Sequence, residues 1–507
     1  MPSPVLLDGR SLTLQDLVRV ARDATIPIGL SPAAVEALRE SRAAIQSAMD
    51  RGEAIYGINT GFGKLATVRI ALGDLDRLQV NLIRSHAAGV GEPLPADVVR
   101  AMMLLRANVL LQPTSGVRPE LVEAVVGFLR AGLAPVVPSQ GSVGASGDLA
   151  PLSHLALALI GEGEVLSAEG SRRPTREALA AAGIAPFTLA PKEGLAFING
   201  TQAQTAVLGL LMHDAWVTWR SALGAAAMSL DALRGTPTPL DPRIHEARPH
   251  PGQRQAADLM RRLLVGSEIR ESHREGDPRV QDAYSLRCIP QVLGAVADAI
   301  GFAEAALTVE LNASTDNPLV FGTEVVSGGN FHGQSIAQAL DVLAIGLTTL
   351  QAIAERRIER LVNPDLSQGL PAFLTASPGL SSGFMMVQIT AASLVAESRT
   401  LAYPASIGSI PTDANQEDFV PMGMAAAFKA RRILANAQRV VGAEFYCAAQ
   451  GLEFLRPLRS GPGVERLHQR IRTMPNPVLP LGEDRPPAPD LERLAGAVAD
   501  GALDPGW

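Results

Sequence analysis

Apolar positions recur along most of this chain at spacings of three and four, the period of a helix with one face turned to a core. The stretch QSIAQALDVLAIGLTTLQAIAERRIERLV, residues 334–362, is the clearest case. Ile336, Leu340, Leu343, Leu347 and Leu350 form one stripe, and Val342 and Ile345 spread apolar character around the cylinder, predicting a helix buried on most sides. The same reading predicts helices over 32–50, 96–112, 119–132, 203–234, 287–312, 383–402 and 421–450, the first with Pro32 in its opening turn. Alternating strand patterns are confined to the neighbourhoods of 163–166 and 318–326. Long helices with so few strands indicate an all-α bundle. Residues 366–396 contain no Asp, Glu, Lys or Arg, yet Pro371, Pro378, Gly379 and Ser381-Ser382 interrupt them. The apolar part after Gly383 is too short to cross a bilayer, so it reads as a buried bundle helix.

Composition narrows the function classes. Of 507 residues, 47% are apolar and 19% charged, a globular balance that leaves room for more than one core. A net charge of −7 and an aromatic content of 4% argue against a nucleic-acid or anionic-membrane surface. Two cysteines, Cys288 and Cys447, make no disulfide framework and suit a reducing, cytoplasmic compartment. Asp8 and Arg10 stand where a signal peptide would need an apolar stretch. No metal-ligand spacing is present, and His245 and His250 read as a polar surface turn. GINTGFGKL is not a P-loop, because Ile58 and Leu65 replace the required Gly and Ser/Thr. GASGD is not a nucleophile elbow, because Asp148 replaces its second glycine.

The loops between helices carry the informative residues. GSVGASGDLAPLSH, residues 141–154, leaves little side chain to pack around Ala145-Ser146-Gly147. A turn, an anion-binding nest, or capping of the following helix by Ser146 or Asp148 would each account for it. A chemical reading also exists. Gly147 has no β-carbon to obstruct its amide nitrogen from adding to the Ala145 carbonyl carbon. One water then takes the Ala145 oxygen with the Gly147 and Ser146 amide protons. A second takes the Ser146 hydroxyl with its α-proton and leaves an exocyclic methylene. That group is an electrophile, which no ordinary side chain supplies.

YGINTGFGKL, NLIRSHAAGVGEP, GSVGASGDLAPLSH, NGTQ, RVQDAYSLRC, TDNPLVF, GGNFHG and ANQED follow one another in this order. In this the chain resembles the aromatic amino acid ammonia-lyase family over roughly residues 5–490, and within it most the branch that acts on histidine. The resemblance implies an all-α fold with a long central helix bundle of the fumarase/aspartase kind. The chain then reads as 1–200, a mostly helical N-terminal lobe carrying the tripeptide, 201–475, the bundle, and 476–507, whose Pro-rich composition predicts an arm or short lid that packs no core. The Gly-Ser-Ser loop of the fumarase–aspartase lyases themselves is absent. A 4-methylidene-imidazol-5-one formed from Ala145, Ser146 and Gly147 is implied, with no metal or nucleotide. A homotetramer whose sites draw loops from three subunits is also implied.

By the same resemblance Tyr56 is the base that takes a substrate β-proton, and Arg287 forks onto the substrate carboxylate. Tyr284 and Asn199 hydrogen-bond around the prosthetic group and carboxylate. Gln281 and Phe331 line the pocket. His86, in a loop after Ser85, is a polar group that meets an imidazole or a phenol hydroxyl, and Glu417 meets the substrate imidazole or its amine; together they favour histidine. The implied reaction is loss of ammonia from L-histidine to give trans-urocanate. Departures from the pattern keep alternatives open. Phe419-Val420-Pro421 stands where the family has His-Val-Ser, Ala283 stands for proline and Gln334 for glutamate. A lyase or 2,3-aminomutase acting on tyrosine or phenylalanine remains open, as does an inactive binding homologue.

Overall fold

The computed structural model of the chain describes residues 3–50, 60–61, 63–65, 67–166 and 170–506. Helices make up 59% of it, which settles the all-α class, since the strands among the described residues form only short sheets of two or three strands. Helices run Pro32–Asp50, Ala96–Leu110, Pro119–Arg130, Gln202–Ala232, Ile289–Glu310, Gln334–Val362, Met385–Leu401 and Gly423–Glu453, each where periodicity predicts one. The predicted strand regions hold Glu164–Leu166 and an antiparallel pair, Leu319–Phe321 with Glu324–Val326.

The chain divides into two compact units built from interleaved segments rather than from consecutive lobes. The first comprises Met1–Leu210, Glu304–Asp341 and Pro404–Phe428. At its centre lies Ala96–Leu110, buried on every side from Val98 onward. Leu14–Arg22 and Pro119–Arg130 pack against it, the former capped by Thr13, whose hydroxyl accepts the Asp16 N–H. Leu75–His86, Leu149–Leu159 and Glu193–Ile198 pack mutually. Val5–Leu7 pairs in parallel with Ile28–Leu30.

The second unit comprises Leu211–Ala303, Val342–Tyr403 and Lys429–Trp507. Its interior holds a fully buried fork, Arg357 Nε and Nη2 to the two Glu444 oxygens at 2.5 and 2.8 Å. Ser229 Oγ adds a third hydrogen bond to Glu444 at 2.7 Å. Such satisfaction is what makes a buried ion pair tolerable.

Several expectations need correction. The C-terminal segment is not a coreless arm. Ala488–Ala499 is a helix whose Leu494 and Val498, four apart, are fully buried, and Tyr446 Oη donates to Asp490 at 2.8 Å. Met385–Leu401 buries only one face, through Val387, Ala391 and Val395, while Met386 and Ile389 are exposed. His245 is not on the surface: it is buried, with its ring nitrogens at 3.1 Å from Pro239 O and Gln253 Nε2.

Candidate active site

The Ala145-Ser146-Gly147 loop belongs to the first unit and doubles back on itself. Gly147 bridges to both Gly144 and Ala145, and also to Gly200. The loop makes this turn because Gly147 has φ +71°, a region costly for any side chain. A β-carbon on Gly147 would sit 2.2 Å from Gly200 O. Asp148 N donates to that same oxygen at 2.7 Å. Asn199 Nδ2 donates to Ser146 O at 2.8 Å, while Asn199 Oδ1 is buried without a partner among the described residues. The tripeptide is thus gripped by NGTQ backbone and side chain together. This cradle of glycine against glycine fits a five-membered ring made from the chain, for it has room for folded backbone and for nothing bulkier.

Asp148 precedes the Leu149–Leu159 helix but does not cap it. Its fully buried carboxylate instead accepts from Gln204 N and Ser142 Oγ, each at 2.9 Å. Burial outweighs these bonds and pushes its pKa up to about 6. Ser146 is likewise not a cap: its hydroxyl donates to Glu417 Oε1. Glu417 is set by the PTDANQED turn, where Thr412 Oγ1 donates to its other oxygen at 2.6 Å and the two backbones pair. Asp413, Ala414 and Asn415 all hold left-handed φ values of 46 to 65° in that turn, strain of the kind that gathers at functional loops.

Ser146 and Glu417 border two cavities of the first unit. One, of about 550 Å³, is of mixed polarity and includes Asn199, Phe331, His332 and Phe419. The Phe419 ring stacks on His332 with centroids 6.1 Å apart. The other, of about 670 Å³, is apolar through Leu78, Leu82, Leu149 and Ile198, with His86 among them. His86 lies in the last turn of Leu75–His86 rather than in a loop. Its Nδ1 is 2.9 Å from Leu82 O, a hydrogen bond that fixes the ring.

One unit therefore brings together Ala145, Ser146, Gly147, His86, Asn199, Phe331 and Glu417. Gln281, Tyr284 and Arg287 belong to the second unit. Gln281 and Arg287 line a cavity of about 810 Å³ there. Arg287 Nη1 donates to Gln281 Oε1 at 2.5 Å, and its guanidinium lies 4.6 Å over the exposed Tyr284 ring. Arg287 Nε has no partner among the described residues. Tyr56 lies outside the described residues. The sequence reading missed Arg106 and Gln202, which lie beneath Asn199-Gly200. The signal was an arginine inside an otherwise apolar helix, ADVVRAMMLLRANVLLQ.

Known proteins resemble this chain over nearly its whole length. The profile of the aromatic amino acid lyase family matches residues 12–473. The chain is 51% identical to histidine ammonia-lyase of Anaeromyxobacter dehalogenans, over 99% of each chain. It is 51% identical to that of Deinococcus radiodurans, over 98% of this chain and 94% of the relative. Among solved structures, histidine ammonia-lyase from Trypanosoma cruzi superposes with a TM-score of 0.90 at 43% identity, covering 99% of this chain and 94% of that one. Tyrosine aminomutase from Streptomyces globisporus superposes at 0.93 and 38%, covering 99% and 97%.

Proposed function

From the premise that the chain belongs to the aromatic amino acid lyase family, we propose that it is a carbon–nitrogen lyase that eliminates ammonia from L-histidine to give trans-urocanate. The observation that carries this reading is the self-folded Ala145-Ser146-Gly147 loop, with Ser146 presented to two cavities and to Glu417. Closed and dehydrated, that tripeptide supplies an electrophilic methylene toward the substrate amine.

The remaining roles belong to ordinary side chains. Asn199 orients the tripeptide through Ser146 O. Tyr56 takes the β-proton, for which its phenol must be held below its usual pKa near ~10. Arg287, with Nη1 on Gln281 and Nε unpartnered, offers a fork to the substrate carboxylate. Tyr284 beneath that guanidinium keeps its plane in place. Glu417 and His86 meet the imidazole or the amine, while Phe331 closes the wall. Cleavage of the Cα–N bond with loss of the β-proton then releases ammonia and the unsaturated acid.

Gln281, Tyr284 and Arg287 fall in a different unit of the chain from Ser146. We assign the chain to a homotetramer of the cytoplasm, with one site shared among three subunits. Phe419 supports a second reading, because it gives the cavity an apolar face where an imidazole would be served by a polar one. That reading is a lyase or aminomutase acting on phenylalanine or tyrosine. A panel of histidine, phenylalanine, tyrosine and tryptophan separates the two. Urocanate from histidine alone upholds the proposal. A cinnamate-type product or a β-amino acid replaces it with the second reading. No product from any of the four overturns both.

A further inference from the structure

Arg106 is fully buried in the middle of the Ala96–Leu110 helix, yet among the described residues no carboxylate is hydrogen-bonded to it. Asp316, the acid that acts on it, is bonded instead by Lys192 Nζ at 2.7 Å. Burying a charge without a touching counter-charge is destabilising, so an apolar residue would serve the helix better. What the guanidinium touches is the turn that grips the tripeptide. Nη1 donates to Asn199 O at 3.2 Å and to Gln202 Oε1 at 2.5 Å. Gln202 Nε2 in turn donates to Thr315 Oγ1 at 2.8 Å.

Gly200 is sandwiched by this arrangement. A β-carbon there would lie 2.4 Å from Arg106 Nη1, and one on Gly147 would lie 2.2 Å from Gly200 O. The side-chain place of Gly200 is taken by Arg106 Nη1 and, equally close, by the Gln202 Oε1 that Nη1 binds, and that of Gly147 by the Gly200 backbone. The same short segment makes two bonds to the loop, Asn199 Nδ2 to Ser146 O and Asp148 N to Gly200 O. We infer that Arg106 is the positioning residue for ring closure at 145–147. It presses the Asn199-Gly200 segment against Gly147 and so keeps the Gly147 nitrogen against the Ala145 carbonyl. Both bonds leave the one nitrogen Nη1, while Nε and Nη2 are buried without a partner among the described residues. The inference rests on the ring-forming reading of the tripeptide.

The test reads maturation, not turnover. Full-length protein is digested at intervals after synthesis, and the peptide spanning 141–160 is weighed for loss of two waters. Folding is followed by circular dichroism. R106Q is expected to fold and to mature at least about tenfold more slowly, since sub-ångström loosening of a reacting pair is costly. R106K, whose compact ammonium keeps the charge but not the rigid placement of Nη1 at the end of a planar group, is expected to be delayed as well. Q202L, which removes one of the two acceptors, carries the comparison if R106Q does not fold. L104A, at a fully buried neighbour in the same helix, serves as a control that destabilises without touching the turn. Undelayed water loss in folded R106Q would overturn the role of Arg106 while leaving the function intact. Equal delay in L104A would overturn it too, by reducing it to general stability. Absence of water loss in the unaltered protein would instead remove the ring and the proposed function with it.

Discussion

Gly147→Ala tests the cradle most sharply. At φ +71° an alanine pays about 1–2 kcal/mol in backbone conformation alone. Its β-carbon would arrive 2.2 Å from Gly200 O and 2.4 Å from Gly200 C, so the two segments must part by about 1 Å to reach ordinary contact. That movement breaks the 2.7 Å bond from Asp148 N to Gly200 O and strands a buried amide, a further cost of about 1–3 kcal/mol. The sum, about 2–5 kcal/mol, lowers the melting temperature of a chain this long by only a few degrees. The variant should therefore fold. Its displaced nitrogen should not close the ring, and the intact mass should retain both waters. Gly183→Ala isolates the cause, because Gly183 has φ +69° and nothing within 4 Å of a β-carbon. It should lose stability from backbone strain alone and mature normally. Complete water loss in Gly147→Ala, or failed maturation in Gly183→Ala, would refute the reasoning.

Three further outcomes follow from the described contacts. Asp148 has its pKa raised to about 6 by burial, so the folded state holds its proton while the unfolded state releases it. Its contribution to stability is present below pH ~4, declines as pH rises toward about 6, and is then lost, roughly 3 kcal/mol in all. Melting temperatures of Asp148→Asn across pH 4–8 should lack that share of the slope; an unchanged slope would deny the shift. Asp316→Asn leaves Lys192 buried and unpaired and should cost about 3–5 kcal/mol, read as a lower melting temperature. Replacing both partners by apolar residues should cost less, and equal losses would count against pairing as the cause. Phe419→His puts a polar ring into the Ser146 cavity and should raise kcat/KM for histidine over phenylalanine by about two- to tenfold, the worth of one net hydrogen bond. No change in that ratio would place Phe419 away from the substrate.

Much of the fold could be read along the chain because helix periodicity is local. The stripe from Ile336 to Leu350 is fully buried, and the helix around it ends where the pattern ends. The C-terminal helix was hidden for a different reason. The prolines near 475–487 break helical periodicity just before it, and Leu494 and Val498, spaced by four, are too short a stripe to stand out after them. The interleaving of segments into two units depends on contacts hundreds of residues apart, which no window along the sequence contains. At the site, residue types were legible and positions were not. His86 is polar as expected but sits on a helix, and Glu417 was read for the substrate yet reaches the Ser146 hydroxyl.

What the sequence could not convey is why Ala145-Ser146-Gly147 needs its small residues. Read alone, they suggest a loop that is free to move. In the folded chain the opposite holds. The space left by Gly147 is filled by the backbone of Gly200, and the space left by Gly200 by the guanidinium of Arg106. Smallness here buries peptide groups against one another, and the Ser146, Asn199 and Gly200 carbonyls each have a donor that fixes them. Amide nitrogen is a poor nucleophile and a peptide carbonyl a poor electrophile, so their joining depends on being held in contact. The ordering is supplied by tertiary packing around the tripeptide. A free peptide of the same 141–154 sequence therefore should not cyclise, although it contains every atom of the ring.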